Sequence, residues 1–136
     1  MNLIKYLLPP SSKRVEWNTS HDDNDKIAEA TFKNIKKNIN KKNFEIAKRI
    51  KELNYESDTE KVLEASAASL TIINTILGFA HDKKWFVLNG IVGLFLLQHA
   101  LQGWCPPLPI IRKLGIRTPE EIYSEKIALK ILKGDY

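Results

Sequence analysis

Residues 85–104 read WFVLNGIVGLFLLQHALQGW. This stretch has 20 residues, of which 13 are apolar and none is Lys, Arg, Asp or Glu. A helix of this length spans about 30 Å, roughly the hydrocarbon thickness of a bilayer, and tryptophans such as Trp85 and Trp104 are enriched at the two membrane–water boundaries. A buried core helix is the alternative, but a chain of 136 residues has little material to surround a helix that is apolar on every side. The stretch therefore predicts a membrane span.

A second apolar stretch precedes the first one along the chain. Residues 65–80 are uncharged, and a helix over them alone is short for a span, at about 24 Å. Extended back toward Asp58, the helix becomes long enough. The link His81–Lys84 has four residues, so the two helices must form an antiparallel hairpin. We expect spans near Glu64–Ala80 and Trp85–Trp104.

Small residues recur at helical spacing in both apolar stretches. Small side chains let two helix backbones approach closely, which is how helices associate in lipid without a hydrophobic driving force. We therefore predict that these faces pack within the hairpin or against a second copy. The predicted helix-packing residues are Ala68, Thr71, Thr75 and Gly78 in the first stretch, and Gly90, Gly93, Ala100 and Gly103 in the second.

Basic residues near the spans predict the orientation of the hairpin. The link carries Lys83 and Lys84, whereas seven basic residues lie within about 20 residues of the outer ends. Because cytoplasmic flanks are the richer in Lys and Arg, both termini are expected in the cytoplasm and the link outside. The seven flanking residues are Lys48, Arg49, Lys51, Lys61, Arg112, Lys113 and Arg117.

Amphipathic helices are predicted before and after the hairpin. The polar stretch Ser11–Asn24 is expected to be a loop, and a helix follows from Asp25. The capping boxes Ser57-x-x-Glu60 and Thr118-x-x-Glu121 predict the starts of two later helices, the last of them over Pro119–Lys133. The apolar stripes of the first two helices could face the bilayer, a partner's groove or each other. They are Ala28, Phe32, Ile35 and Ile39, and then Ile46, Ile50 and Leu53.

These elements predict an all-α fold, an integral membrane hairpin of two transmembrane helices with amphipathic cytoplasmic helices before and after it. We divide the chain into a basic, helical cytoplasmic arm over residues 1–57, the hairpin over residues 58–111 and a cytoplasmic C-terminal helix over residues 112–136. The apolar run Met1–Leu8 is too short for the core of a cleavable signal peptide and ends at two prolines, so the hairpin itself is expected to direct insertion.

Residues 33–51 carry eight basic side chains and a single acidic one, Glu45. Beside a membrane segment, such a run is attracted to anionic lipid headgroups by about 1 kcal/mol per charge. Nucleic acid is the competing partner, but no aromatic ladder or known motif accompanies the run, so no nucleic-acid partner is expected. A solvated basic face is the other alternative. The predicted lipid-headgroup residues are Lys33, Lys36, Lys37, Lys41, Lys42, Lys48, Arg49 and Lys51.

Four polar residues fall inside the predicted spans, namely Asn74 in the first and Gln98, His99 and Gln102 in the second. Polar groups in lipid are costly unless they are paired. We expect His99 to hydrogen-bond to Asn74, to Thr71 or to a second copy of the chain. Haem ligation would need a second strong ligand, and the other histidines are predicted outside the span, so no cofactor and no metal are expected.

Cys105 is the only cysteine, which excludes an intramolecular disulfide and the paired-cysteine zinc patterns. Its position at the cytoplasmic end of a span, before Pro106, is compatible with a reactive thiol, a persulfide or nitrosyl carrier or a palmitoylation-type site, and equally with a small structural residue. The sequence shows no Ser/His/Asp set, phosphate loop or pair of catalytic carboxylates. We therefore expect no enzymatic activity from this chain alone.

A Gly-x-x-Gly pair at Gly90 and Gly93 is followed by the run Gln102–Pro106, which reads QGWCP. With these motifs, the C-terminal part of the chain resembles the YgaP-like inner-membrane domain, a bacterial two-helix unit of unknown biochemical role that is sometimes fused behind a rhodanese sulfurtransferase. The resemblance covers about Glu60–Tyr136 and implies a self-associating hairpin in the inner membrane. Residues 1–60 are too few and too rich in lysine for a rhodanese and contain no cysteine, so sulfurtransferase activity does not carry over. The motifs that carry the resemblance are Gly90-x-x-Gly93, Leu94–Leu97, Gln102–Pro106, Arg112–Gly115, Arg117–Ile122 and Leu132–Asp135.

The sequence leaves two main hypotheses for function. The first is a non-catalytic, multi-pass protein of the bacterial inner (plasma) membrane that forms homo-oligomers or acts as an accessory subunit of a larger membrane complex. The second is a thiol-dependent redox or sulfur-handling membrane component that uses Cys105. A third, transport through an oligomeric pore, would need the face of Gln98, His99 and Gln102 to line water.

Overall fold

The structure, a computed structural model, describes residues 8–134, and all regular elements within this range are α-helices. The apolar run Met1–Leu8 therefore lies outside the described residues except for Leu8. Seven helices follow one another along the described chain. They are α1 Arg14–Trp17, α2 His21–Asn38, α3 Asn43–Leu53, α4 Thr59–Ala80, α5 Trp85–Gln102, α6 Leu108–Lys113 and α7 Pro119–Lys133.

Helices α4 and α5 pack against each other as the predicted hairpin. They have 22 and 18 residues and mean hydropathies of 1.5 and 1.3, so both are long and apolar enough to cross a membrane. Only 17% of the apolar window of α4 and 6% of that of α5 is buried within the protein. The core helix of a soluble protein would be mostly buried. The prediction of an all-α chain with two candidate spans is confirmed.

The ends of the hairpin helices differ from their predicted positions. The side chain of Asp58 accepts a hydrogen bond of 2.7 Å from the backbone N–H of Lys61, so Asp58 rather than Ser57 caps α4. Helix α5 ends at Gln102, two residues before Trp104, because Gly103 adopts a left-handed conformation with φ 80°. Its N–H donates to the carbonyl oxygen of His99 at 2.8 Å, which closes the last turn.

Helix α3 lays its apolar stripe against α7. Ile46 and Leu53 are buried together with Ile122 and Leu129, so the stripe is occupied within the chain instead of being free for the bilayer or a partner. The start of α7 follows the predicted capping box, since Thr118 accepts from the N–H of Glu121 and the Glu121 carboxylate accepts from the N–H of Thr118. The predicted bounds of this helix, Pro119–Lys133, are confirmed.

Helix α2 corrects the prediction of a loop over Ser11–Asn24. It begins at His21, with the Ser20 hydroxyl accepting from the N–H of Asp23, and α1 precedes it, so Ser11–Asn24 is not simply a loop. The predicted apolar stripe is not covered within the described residues, since Phe32 is 66% exposed and Ile39 is 51% exposed, and its contact with the bilayer or a partner stays a prediction. The buried positions of α2 are Ile27 and Asn38, and the amide of Asn38 donates to the carbonyl oxygen of Asn34 at 2.7 Å.

Two buried arginines connect the N-terminal helices to the C-terminal ones. Arg112 is 1% exposed and uses all five of its N–H groups, two of them on the carboxylate of Glu121 at 2.6 and 2.8 Å. Its remaining donors bond to Thr19, Asn24 and the carbonyl oxygen of Ile116. The segments that precede and follow the hairpin along the chain are therefore joined by hydrogen bonds at its open end.

Arg117 is the second of these arginines and is 6% exposed. Burial acts to lower its pKa, but the carboxylates of Glu56 and Glu125, which both pair with it, outweigh burial and raise the pKa above its usual value. Arg117 therefore stays charged throughout the physiological pH range. Its backbone carbonyl also accepts from the N–H of Thr59, which fixes the start of α4.

Candidate functional site

The open end of the hairpin brings a histidine and a carboxylate together. His99 lies in the last turn of α5 and is 3% exposed, whereas Glu60 lies in the first turn of α4. The Nε2 atom of His99 is 3.1 Å from one carboxylate oxygen of Glu60 and 3.3 Å from the other. The prediction that His99 pairs with Asn74 or Thr71 is wrong within one chain, because antiparallel helices place the end of α5 beside the start of α4.

Arg14 of α1 holds this pair in place. Its Nη2 atom donates to Glu60 at 2.9 Å, and its Nε atom donates to the backbone carbonyl oxygen of His99 at 3.3 Å. The carboxylate of Glu60 thus lies between an imidazole and a guanidinium group. A Cβ at Gly103 would lie 2.4 Å from the backbone of Arg14. Gly103 is therefore needed for its left-handed turn and for the approach of α1, rather than for packing between the two spans.

The turn after α5 returns Cys105 to the side of His99. Cys105 is 3% exposed and belongs to the apolar core that α1 and α6 form at the base of the hairpin. Its carbonyl oxygen accepts from the N–H of Leu108 at the start of α6. Cys105 and His99 both line one small cavity of about 100 Å³. The other residues that line it are Leu63, Ser66, Ala67, Leu70, Val92, Phe95, Leu96 and Pro107.

The hydrogen bonds of His99 define which of its nitrogens can accept a proton. An ionised carboxylate can only accept hydrogen bonds, so Nε2 must donate to Glu60. In the neutral ring Nδ1 then carries a lone pair, and within residues 8–134 this buried atom has no hydrogen-bond partner. A carboxylate that orients an imidazole, and a thiol that lines the same cavity as that imidazole, are the groups from which an activated cysteine nucleophile can be formed. The sequence did not reveal this arrangement, because Glu60 lies 39 residues before His99.

The other predicted polar residues do not join this site. Gln98 is half-buried and Gln102 is exposed, so of the three polar residues near the end of α5 only His99 reaches the cavity. Asn74 is buried farther along α4. A polar contact between the spans that the prediction missed is made by Asn89, whose amide donates to the Thr75 hydroxyl at 3.0 Å.

The predicted small-residue faces are only partly used inside the hairpin. Gly78 is buried, and a Cβ there would lie 2.7 Å from the ring of Phe86. Gly90 and Gly93 instead lie on exposed surface, where a Cβ would meet nothing within 4 Å. Ala68, Thr71 and Ala100 are exposed as well. Packing of these outer positions against a second copy stays a prediction.

The predicted lipid-headgroup residues separate into two groups. All seven lysines, from Lys33 to Lys51, are exposed. Arg49 differs, because its guanidinium group is 3.0 Å from the fully buried carboxylate of Glu125 and its charge is compensated inside the protein. The available basic face therefore consists of the lysines.

Within the described residues no group of three or more His, Cys, Asp or Glu side chains is arranged to hold a metal ion. No family model, curated protein or solved structure matches this chain. The resemblance to the YgaP-like domain therefore stays a prediction.

Proposed function

We propose that this chain is a two-span protein of the bacterial inner membrane that self-associates or serves as an accessory subunit of a membrane complex. The observation that carries the proposal is the exposure of large apolar side chains along the hairpin, including Phe79 at 83%, Leu94 at 66% and Val87 at 65%. Soluble monomers rarely expose continuous apolar surface of this kind. Lipid or neighbouring helices are the coverings that suit these faces.

The orientation in this proposal has both termini in the cytoplasm. The helices outside the hairpin gather at its open end, where the exposed lysines of α2 and α3 are also found. The link at the other end carries only Lys83 and Lys84. The distribution of positive charge favours the open end on the cytoplasmic side.

Labelling of single cysteines from outside the cell tests this topology. In a Cys105→Ser background, a cysteine at Asp82 should react with a membrane-impermeant maleimide in whole cells, and cysteines at Ser12 or Ser124 should react only after the membrane is opened. All three positions are exposed in the structure, so burial does not confound the comparison. Extraction of the chain by carbonate alone would contradict membrane insertion.

A second candidate function, a thiol-dependent membrane component, is favoured by the cavity that Cys105 and His99 both line. General bases positioned by a partner accelerate reactions by about 10²–10⁴-fold. The rate of alkylation of Cys105 by iodoacetamide should therefore fall by at least about tenfold in His99→Gln. An unchanged rate with an unchanged melting temperature would show that the thiol is only a packing residue.

A further inference from the structure

We propose that Cys105 accepts a long-chain acyl group from an acyl thioester, with His99 as its base and Glu60 as the positioning residue. This inference rests on the proposed membrane insertion and on the thiol candidate function, and it names the substrate class of that site.

The polar side of the cavity holds a group that can act as a base. Among residues 8–134, the one buried polar side-chain atom at this cavity without a hydrogen-bond partner is Nδ1 of His99, and Cys105 lines the same cavity. Glu60 and Arg14 lie behind the ring and fix its orientation through bonds of 3.1 and 2.9 Å. The ring is therefore held with its lone pair free to take the thiol proton.

The apolar side of the cavity offers a path for an acyl chain. Leu70, Phe95 and Leu96 line it and are also 50%, 40% and 39% exposed, so the cavity opens onto the outer surface of the hairpin. An acyl chain that begins at the thiol can therefore continue along this surface into lipid. The volume of about 100 Å³ accommodates only the first few atoms of such a chain.

The composition of the cavity lining favours an uncharged reacting group. Among the described residues that line the cavity there is no Lys or Arg, so no cation is present to attract a phosphate or sulfur oxyanion. A thioester carbonyl is uncharged and is suited to such a cavity, while the charged part of the donor stays outside. Disulfide exchange would need a second thiol, and Cys105 is the only cysteine of the chain.

The reaction is an acyl exchange that oxidises and reduces nothing. The Sγ proton moves to Nδ1 of His99, and the thiolate attacks the carbonyl carbon of the donor. A carbon–sulfur bond to Cys105 forms, the carbon–sulfur bond to the donor breaks, and the departing thiolate takes the proton back from His99. The products are S-acylated Cys105 and the free donor thiol.

The test uses the full chain in lipid nanodiscs with an alkyne-tagged long-chain acyl-coenzyme A as the probe. We expect the mass of one acyl chain to be added to the wild-type protein and to be released by hydroxylamine. His99→Gln should slow acylation by about 100-fold. The matched control is Cys105→Ser combined with Leu101→Cys, which places a thiol at a 47% exposed position near the same end of α5. This control should react as slowly as His99→Gln.

The variant Glu60→Gln tests whether Glu60 positions His99 for the reaction or only stabilises the fold. The amide keeps the shape and can still accept from Nε2, but it no longer stabilises a protonated ring, so the neutral, proton-accepting ring persists to lower pH and the pH profile of acylation should move to lower pH. If His99→Gln lowers the melting temperature, this pH profile decides the question, and an unmoved profile overturns the proposal.

Three other results would overturn it. Equal acylation of Cys105 and of the thiol at position 101 would mean that any thiol near the interface reacts. Alkylation by iodoacetamide that depends on His99, without acylation, would refute the acyl substrate and leave the thiol function standing. Absence of both reactions would refute the thiol function as well.

Discussion

The Nε2 atom of His99 lies 3.1 Å from the carboxylate of Glu60, and this contact joins the end of one candidate span to the start of the other. Because His99 is 3% exposed and Arg14 binds the same carboxylate, removal of Glu60 leaves two groups without their anionic partner. The contact, which we call the clamp, thus holds the two hairpin helices together at their open end. It also orients the His99 ring at the cavity that Cys105 lines.

We predict that Glu60→Ala lowers the free energy of unfolding by about 1–3 kcal/mol, the usual cost of leaving a buried polar group unpaired. Thermal unfolding in detergent, followed by circular dichroism, measures this loss. Glu64→Ala is the control, because Glu64 lies one turn farther along α4 and is exposed. Equal melting temperatures for the two variants would contradict a structural role for the clamp.

The buried Arg112 should be the most sensitive charged residue of the described chain. Replacement by Met removes five hydrogen bonds and leaves Glu121 unpaired, and breaking a buried pair in this way costs about 3–5 kcal/mol. Denaturation by urea measures the change. Lys113→Met, next to it on an exposed position, should cost less than about 0.5 kcal/mol. Similar losses for both variants would show that the network is not a stabilising element.

Two glycines of the hairpin provide a matched pair. Gly78→Leu should push α4 and α5 apart, because even a Cβ would lie 2.7 Å from the Phe86 ring. Gly93→Leu adds its side chain in open space, so it should leave the hairpin intact and weaken only self-association. Melting temperature reports the first effect, and mass in detergent by light scattering reports the second. If Gly93→Leu changes neither quantity, its face contacts lipid alone.

The hairpin could be predicted from sequence because its signal is local. Two apolar runs and a link of four residues lie within one continuous stretch. The buried face of α2 could not be predicted from apolar residues because one of its buried positions is the polar Asn38, whose amide donates to the carbonyl oxygen of Asn34 on the same helix. Periodicity of apolar residues does not register such a position.

The candidate site and the arginine network could not be predicted in the same way. Arg112 bonds to Thr19 and Asn24, which precede it by 93 and 88 residues, and Arg117 pairs with Glu56 across 61. In the sequence, Arg112 and Arg117 counted as free positive flanks of the hairpin. In the structure their charges are compensated by carboxylates, so the positive-inside argument for the orientation rests mainly on the exposed lysines.

We predict that these exposed lysines contact the cytoplasmic leaflet. A fluorophore placed at Lys37, in a Cys105→Ser background, should be quenched by headgroup-labelled lipid in nanodiscs, and more strongly as the anionic fraction rises. Quenching should weaken as salt increases from about 0.05 to 0.5 M, because the Debye length shortens from roughly 14 to 4 Å over this range.

The whole chain is required for this measurement, since the apolar stripe of α3 is buried against α7 and would be exposed artificially in a peptide. A fluorophore at Ser124, exposed on α7 and outside the lysine run, is the control and should respond less to anionic lipid. Arg49→Gln should leave the quenching at Lys37 almost unchanged, because Glu125 already compensates its charge. Quenching that ignores anionic lipid would assign the lysines to a solvated face.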